Sequence, residues 1–324
     1  MTPPALRAGS KALILHARSA DHALLHRLGT GALQGRVHSV FDRVVNIEHG
    51  AGVLASLAVR GLDDAPGSAR LDVDSFTGTA LVVGDPVRAS AGRLCLGGAI
   101  EVSFERAVAW QCRLPVYAGA PGGLRRALRA ARAGRSAWMT DPALAAPVAD
   151  GDRTGDGGDR DGHIDGDRDG DLDGAMGRAL ARHAAALLDA LAARRRDDAI
   201  AHATSLIGLG PGLTPSGDDF LVGLFVVFHL EGSPCQGWLD GGAGLLAAAA
   251  ARTNAISQAA LAEAAKGRVR QSIVDLLWAL LDGSPEATGR ALQRVLAIGA
   301  SSGADIAAGL LAGLELNLRV GDGG

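Results

Sequence analysis

Residues 208–219 form the stretch that most constrains how this chain can fold, because they permit no regular secondary structure. Their sequence is Gly-Leu-Gly-Pro-Gly-Leu-Thr-Pro-Ser-Gly-Asp-Asp, and the apolar run 220–230 follows at once. Glycine accepts positive φ angles and close backbone approach, whereas proline fixes φ and lacks an N–H donor. We therefore predict a shaped loop and, after it, a helix that begins at about residues 215–217.

The loop is expected to bring hydrogen-bond donors to the start of this helix. The hydroxyl of Thr214 or of Ser216 is placed to cap the free N–H groups of the first turn. The loop also directs unpaired N–H groups and the positive end of the helix dipole to one point, which suits a phosphate or a carboxylate. The candidate catalytic residues of this anion-binding loop are Thr214, Ser216, Asp218 and Asp219, and its candidate ligand-binding glycines are Gly208, Gly210, Gly212 and Gly217.

A structural interpretation of the same loop competes with the functional one. Glycines and a cap can simply turn the chain into a buried helix, with the carboxylates of Asp218 and Asp219 complementing the helix dipole. The two carboxylates could also hold Mg²⁺ through oxygen ligands, although dipole-capping carboxylates need no metal. No Lys-Ser or Lys-Thr pair follows the glycines, so the loop is not a Walker A motif and ATP is not indicated.

The Ser-Gly-x-Asp pattern of residues 216–219 recurs at residues 302–305. Each copy is followed by an apolar residue and by a glycine seven positions after the serine, Gly223 and Gly309. Two helices of this kind could bring their N-termini together, since the glycines allow close packing. Coincidence is the alternative, because Ser-Gly-x-Asp is also an ordinary capping sequence. The repeat adds three candidate ligand-binding residues, which are Ser302, Gly303 and Asp305.

The long loop motif resembles the signature of the AllH-type family, formerly described as a domain of unknown function and associated with a subunit of oxamate carbamoyltransferase. Other segments also match this family: residues 37–41 with Val45-Asn46-Ile47 near the start, residues 252–257, and the turn at 302–305. The resemblance spans most of the chain except its middle.

The resemblance implies one subunit of an enzyme that needs two other subunit types. It also implies the reaction: phosphate attacks the carbamoyl group of oxalurate to give oxamate and carbamoyl phosphate, or the reverse, in purine (allantoin) catabolism. Carbamoyl transfer depends on positioning and on stabilising a developing oxyanion more than on a nucleophile. Backbone N–H groups of 210–217 and an arginine such as Arg252 or Arg43 would suit these anions, and Asn46 is a further ligand-binding candidate. The alternative is a non-catalytic subunit that binds a small carboxylate or acts as a scaffold.

Charge and cysteine content argue against several other classes of protein. A formal net charge of −3 and the lack of a basic stripe argue against nucleic acid as a partner. Three cysteines without paired spacing support neither a disulfide framework nor a zinc site. The first residues lack the apolar segment of an export signal, and the run 220–230 is shorter than the roughly 20 residues that span a bilayer. We therefore predict a cytoplasmic protein with no membrane partner.

The two halves of the chain carry different periodicities, which predicts the α+β class with a β-rich N-terminal half and a helical C-terminal half. Short β-rich runs between turn clusters favour an antiparallel sheet or a barrel-like form over a parallel doubly wound sheet. In the second half, Gly267, Gly283 and Gly299 are placed as helix stops. The predicted strands are 37–41, 44–47, 53–59, 69–73, 80–83, 94–96 and 100–104, and the predicted helices are 20–28, 122–135, 176–195, 219–230, 241–252, 255–266, 270–282, 285–298 and 304–318.

Composition divides the chain into four segments. The segments are a β-rich domain 1–118, a connecting helical segment 119–149, a disordered insertion 150–175 and an all-helical domain 176–324. The insertion is rich in aspartate and glycine and cannot bury a core. Its Asp-x-Asp-x-Asp-Gly sequence at 165–170 imitates a calcium loop, but it lacks the glutamate at position twelve and a preceding helix. Helices 219–230 and 304–318 are apolar on nearly all sides, so they should lie at the centre of the helical domain with both Ser-Gly-x-Asp turns.

Overall fold

The structure is a computed structural model that describes residues 12–31, 33–50, 52–98, 100–118, 121–140, 166–238 and 243–322. The chain divides into two compact units. The first consists of Met1–Arg113 and Arg268–Val274, and the second of Leu114–Gly267 and Asp275–Gly324. Residues 141–165, which include most of the predicted insertion 150–175 and the start of its calcium-like sequence, lie outside the described residues.

The first unit is a β-barrel. Eight strands close it in the order β1-β5-β4-β3-β2-β6-β7-β8, with β8 pairing back to β1, and β9 is a further parallel partner of β1. Most neighbours are antiparallel, while the β4–β5 and β8–β1 pairs are parallel. The predicted β-rich first half and its barrel-like form are confirmed. The elements are β1 (Leu13–Asp21), α1 (His22–Gly29), β2 (Gln34–Val40), β3 (Val44–His49), β4 (Val53–Ala58), β5 (Ser68–Leu71), β6 (Pro86–Ser90), β7 (Arg93–Leu96), β8 (Ile100–Ser103) and β9 (Val108–Trp110).

Alternate strand residues fill the barrel, because consecutive side chains of a strand point to opposite faces. Leu15 and Ala17 of β1 are buried, as are Leu94 and Leu96 of β7, whereas the residues between them are more exposed. Leu24 of α1 belongs to the same hydrophobic core. The barrel interior is therefore a packed core of aliphatic side chains.

The predicted strand 80–83 is wrong, and the strand lies instead at Pro86–Ser90. Val82 and Val83 are largely exposed, and the N–H of Val82 donates to the Asp85 carboxylate at 3.0 Å. This hydrogen bond and the φ of +90° at Gly84 make the segment a turn. Strands β1 and β9 were not predicted either, because polar residues interrupt their apolar pattern.

A half-buried ion pair fixes residues 268–274 to the loop between β4 and β5 within the first unit. Arg270 Nε donates to Asp63 Oδ1 at 2.8 Å, and the backbone N–H of Ser272 donates to Asp63 Oδ2 at 2.8 Å. Burial raises the pKa of Asp63, but the Arg270 charge and the Ser272 hydrogen bonds outweigh it and lower the pKa overall.

This lowered pKa predicts how the stability of the fold depends on pH. A carboxyl whose pKa is lower in the folded than in the unfolded state stabilises the fold above the unfolded value of about 3.9, and the effect is lost as pH falls through the folded pKa. We expect Asp63→Asn to lower the free energy of unfolding by roughly 1 kcal/mol at pH 7, and by clearly less at pH 3. Urea unfolding at both pH values tests this, and an equal loss at pH 3 would contradict it.

The second unit is helical, which confirms the predicted helical second half. Helix α4 was not predicted, and α3 begins at Gly166, earlier than the expected residue 176. Gly267, Gly283 and Gly299, the predicted stops, have positive φ. The helices are α2 (Pro121–Thr140), α3 (Gly166–Ala192), α4 (Arg196–Leu206), α5 (Ser216–Val227), α6 (Ala243–Arg252), α7 (Ala255–Ala264), α8 (Gln271–Asp282), α9 (Pro285–Leu296) and α10 (Ser302–Gly321), of which α8 starts in the first unit.

Helices α5 and α10 cross at unusually short range in the core of the second unit. All residues of α5 after the first are buried. A Cβ on Gly223 of α5 would lie 2.0 Å from the carbonyl oxygen of Ile306, and one on Gly309 of α10 would lie 1.9 Å from that of Phe220. The two glycines thus occupy equivalent positions on the two helices, and each packs against the backbone of the other helix.

Candidate functional site

Three alternating glycines give the loop between α4 and α5 its shape. Gly208, Gly210 and Gly212 have φ angles of +75°, +131° and +91°, which L side chains rarely adopt. A Cβ on Gly208 would lie 2.2 Å from the carbonyl oxygen of Arg252, and one on Gly210 would lie 2.5 Å from the nitrogen of Ser216. Gly212 faces open space. The first two glycines are therefore required by packing as well as by φ, and Gly212 by φ alone.

Side chains of three residues hold the loop in place. Asp218, which is buried, accepts hydrogen bonds from the Gly208 N–H through Oδ1 at 2.9 Å and from the Thr253 hydroxyl through Oδ2 at 2.5 Å. The side-chain amide of Asn254 donates to the carbonyl oxygen of Leu213 at 2.7 Å. The Asn254 Oδ1 also caps the first turn of α7. The start of α7 and the loop are thus fixed to each other, and both oxygens of Asp218 have partners.

The expected hydroxyl cap of α5 does not form, so the prediction that Thr214 or Ser216 caps this helix is wrong. The N-cap residue is Pro215, and no side chain accepts a hydrogen bond at that position. The carbonyl oxygen of Pro215 accepts from the N–H of Asp219 at 3.2 Å, and the N–H of Gly217 donates to a loop carbonyl at 2.8 Å. Backbone carbonyls, and no side chain, therefore accept from the N–H groups of Gly217 and Asp219, and the hydroxyls of Thr214 and Ser216 lie near other groups.

The two Ser-Gly-x-Asp turns meet at the N-termini of α5 and α10. Thr214 Oγ1 lies 2.6 Å from Ser302 Oγ. Against the larger effect of burial, which raises both values, the Ser302 hydroxyl lowers the pKa of the Asp219 carboxyl, and the Ser216 hydroxyl lowers the pKa of the Asp305 carboxyl, so each hydroxyl lies close to the carboxyl of the other turn. Each serine therefore pairs with the aspartate of the other turn. We call these five side chains the paired turns.

The glycines inside the two turns have a structural explanation. A Cβ on Gly217 would lie 2.0 Å from the carbonyl oxygen of Leu206, and one on Gly303 would lie 2.0 Å from that of Val295. Each glycine thus lets its turn pack against the end of the preceding helix. A ligand contact at Gly217 or Gly303 stays a prediction, and substitution of either residue would disturb folding first.

Both aspartates of the paired turns are set in an environment that disfavours negative charge. Burial raises the pKa of Asp219 to about 7, and the neighbouring charges of Asp305 and Asp218 add to the rise. Hydrogen bonds from Ser302 and Thr214 oppose it. Burial also raises the pKa of Asp305, against the effects of its serine partner and of a nearby arginine. In the part of the chain that the structure describes, the Oδ2 atoms of Asp219 and Asp305 are buried without a hydrogen-bond partner.

That nearby arginine is Arg135 of α2, which the sequence did not single out. Arg125 and Arg132 of the same helix form ion pairs with Asp322 and Glu315. Arg135 is half-buried, and its charge acts on Asp305. The sequence predicted a helix at residues 122–135, and only the tertiary packing distinguishes Arg135 from the other arginines of α2. Thr253 and Asn254 were also missed as site residues, although they lie in a segment that carries the family resemblance.

Arg252 supports the loop through its backbone, since its carbonyl oxygen lies against Gly208. Its guanidinium is exposed and donates one hydrogen bond to the Thr204 carbonyl oxygen at 2.7 Å. Asn46, another predicted ligand-binding residue, lies on β3 in the first unit. Its side chain is buried, donating to Ser39 at 2.9 Å and accepting from Ser56 at 2.7 Å. These two hydrogen bonds give Asn46 a structural role in the barrel.

Two properties of the described residues bear on metal ions and membranes. No group of three or more His, Cys, Asp and Glu side chains among them is arranged to hold a metal ion. None of the helices they form combines the length and apolar character needed to cross a bilayer. The predicted Mg²⁺ site at Asp218 and Asp219 stays a prediction, although a metal on Asp218 would compete with its two hydrogen bonds.

The protein is of the α+β class. It consists of a β-barrel unit and a helical unit, and the helical unit contains the paired turns. The family model described as the AllH family N-terminal domain matches residues 16–109, and the model described as oxamate carbamoyltransferase subunit AllH matches residues 206–314. The chain therefore belongs to the AllH family. The second match contains the loop, both turns and the segment that holds the loop. No solved structure matches the chain.

Proposed function

We propose that the glycine loop and the paired turns bind the small anions of a carbamoyl transfer reaction. The reaction would interconvert oxalurate plus phosphate with oxamate plus carbamoyl phosphate, in purine catabolism, on an assembly with two other subunit types. The family description, which names an oxamate carbamoyltransferase subunit, supports the class of reaction. The backbone donors of the loop support the binding of the anionic reactants.

One observation carries this proposal: the loop presents backbone donors that the fold does not use. Within the described residues, the N–H groups of Gly210, Gly212, Leu213 and Thr214 donate no hydrogen bond to the chain. Gly212 and Leu213 are exposed, Leu213 to 61%, while Gly210 and Thr214 are half-buried. Successive N–H groups in a glycine-rich turn suit a phosphate or a carboxylate. The dipoles of the two helices add positive potential at the same end of the unit.

In this arrangement the loop would position the anion and stabilise the oxyanion that develops on the carbamoyl carbon. Donors that are fixed before the reaction need no reorganisation when charge develops. Asp218 and Asn254 would act as positioning residues, because they hold the loop without offering a free donor to the substrate. Two cations could assist the binding of an anion, since the Arg135 charge acts on Asp305 and the exposed Arg252 guanidinium lies on the residue whose carbonyl packs against Gly208.

Substitution of Gly212 tests the proposal, because this glycine needs its φ but has no close neighbour. A Cβ there costs about 1 kcal/mol of strain and alters the loop that carries the donors. We expect Gly212→Ala in the assembled enzyme to weaken the binding of oxamate and of inorganic phosphate about tenfold, measured by calorimetry. Gly84→Ala is the matched control, since Gly84 has a φ of +90°, open space and a place in the first unit.

Several outcomes separate the proposal from its alternative. Equal affinities in Gly212→Ala, Gly84→Ala and the unchanged enzyme would contradict an anion site at the loop. Weakened binding with unchanged turnover at saturating substrate would favour the alternative, a subunit that binds a small carboxylate while its partners carry out the chemistry. Weakened binding with reduced turnover would support a direct role in the reaction.

A further inference from the structure

The paired turns bring together an all-oxygen set of side-chain atoms at the junction of α5 and α10. The set consists of two carboxyls, Asp219 and Asp305, and three hydroxyls, Thr214, Ser216 and Ser302. Asp219 is only 6% exposed, and the other four residues are half-buried. The set is therefore closed on the side of Asp219 and reaches the surface through its other members.

Hydrogen bonding within the described residues leaves this set incomplete. Asp219 Oδ2 and Asp305 Oδ2 are each buried and each lacks a hydrogen-bond partner. The Asp219 carboxyl lies near the second turn, where the Ser302 hydroxyl and the Asp305 charge both act on it. Buried carboxylate oxygens normally have a hydrogen-bond donor or a cation as partner. Two neighbouring carboxyls that each keep one unpaired, buried oxygen would suit a positive group placed between them.

The protein's own charges supply only part of this positive group. Arg135 acts on Asp305 and is not among the groups that act on Asp219. The N–H groups of Gly217, Asp218 and Asp219 at the start of α5 already donate to backbone carbonyls. Asp218 contributes a further negative charge next to Asp219. A small anion at the loop would add to the negative charge, so the site requires a counter-charge if substrate is to bind there.

We propose that a Mg²⁺ ion binds between Asp219 and Asp305, with hydroxyls of the paired turns and water completing its coordination. Mg²⁺ is a hard cation that typically takes one or two protein carboxylates, keeps several waters and shares substrate phosphate oxygens. The paired turns fit this chemistry, because they offer two carboxyls, their other side-chain ligands are hydroxyl oxygens, and four of the five residues are only half-buried. Asp218 is outside the site, since both its oxygens accept hydrogen bonds from the loop and from Thr253.

The metal site does not depend on the proposed function, but a role for the ion in substrate binding does. An ion between the turns would neutralise the carboxyls and present a positive charge to a phosphate or carboxylate held by the loop. The test therefore uses the metal alone, so that a failure of anion binding and a failure of metal binding are distinguishable.

Thermal melting of the full chain, treated with chelator and then titrated with Mg²⁺, provides the first test. A ligand that binds only the folded state raises the melting temperature in proportion to the logarithm of its concentration above Kd. We expect an increase of several degrees at saturating Mg²⁺. Asp219→Asn and Asp305→Asn should each abolish this increase, and Asp189→Asn should keep it, since Asp189 is an exposed aspartate paired with Arg319 on the same unit.

A second measurement keeps the proposal testable if either variant folds poorly. Mn²⁺ should replace Mg²⁺ and give a bound electron paramagnetic resonance signal that corresponds to one ion per chain and is displaced by excess Mg²⁺. Ser302→Ala, which removes one hydroxyl and no charge, should weaken that signal without abolishing it. An unchanged melting temperature together with no bound Mn²⁺ in the unmodified chain would overturn the proposal, and so would equal binding by Asp219→Asn and Asp189→Asn.

Discussion

Gly309→Ala should strongly destabilise the protein by forcing α5 and α10 apart. The added Cβ would lie 1.9 Å from the carbonyl oxygen of Phe220, and no flexible side chain is there to move aside. The two helices would have to separate by more than 1 Å, as estimated from ordinary carbon–oxygen contact distances. We expect the free energy of unfolding to fall by about 3 kcal/mol or more, measured by urea denaturation.

Two further variants show whether the crossing itself is the cause. Gly223→Ala should behave like Gly309→Ala, because its Cβ would lie 2.0 Å from the carbonyl oxygen of Ile306. Gly289→Ala on α9 is the matched control, since no atom lies within 4 Å of its added Cβ. Alanine is favoured over glycine in a helix by about 1 kcal/mol, so this control should be neutral or stabilising. A stable Gly309→Ala protein would mean that α5 and α10 do not cross as described.

The same crossing shows what the sequence could predict. Two apolar segments with a shared Ser-Gly-x-Asp start and a glycine seven residues later predict two similar buried helices. Helical periodicity and the positions of glycines are local properties of the chain, so they are visible in a single sequence. The register in which Gly223 and Gly309 each pack against the opposite helix follows from the repeat, and the structure brings the two turns together accordingly.

The capping prediction failed because the partner of a hydroxyl need not be local. Thr214 and Ser216 have the spacing of capping residues, but their hydroxyls interact with Ser302 and Asp305, nearly ninety residues further along the chain. Local spacing describes only the hydrogen bonds within one turn. A residue that pairs with another turn can be recognised only when the fold is known, and the same reason hid the role of Arg135.

Prediction of the barrel strands from the sequence meets a similar limit. The predicted strand at residues 80–83 is apolar, yet Val82 and Val83 are exposed in a turn, while the more polar Pro86–Ser90 forms β6. In a barrel only one face of each strand is buried, so a strand such as β6 needs little more than Val87 in the core. Pairing with β2 and β7 supplies the rest of its stability. Hydrophobicity alone therefore selected the wrong segment.

The adjacent residues Asp218 and Asp219 should respond in opposite ways to substitution in metal-free buffer. Asp218 accepts hydrogen bonds from the Gly208 N–H and the Thr253 hydroxyl while buried. Asp218→Ala leaves both donors without a partner, and each buried unsatisfied group costs about 1–3 kcal/mol. We expect the free energy of unfolding to fall by roughly 3 kcal/mol, and anion affinity to fall with it because the loop loses its anchor.

Asp219→Asn should change stability little or increase it near pH 8, because the asparagine amide is neutral where the carboxylate is charged. Burial raises the pKa of Asp219 to about 7. Ionisation of Asp219 therefore destabilises the folded state increasingly as pH rises from the unfolded pKa of about 3.9 to the folded pKa, and the full loss persists at higher pH. Unfolding of both variants at pH 5 and pH 8 tests this contrast.

A double-mutant cycle tests the hydrogen bond between Asp218 and Thr253. It compares the single variants Asp218→Ala and Thr253→Val with the variant that carries both substitutions. A coupling energy between Asp218 and Thr253 near zero would show that this hydrogen bond does not anchor the loop, whereas we expect about 1 kcal/mol.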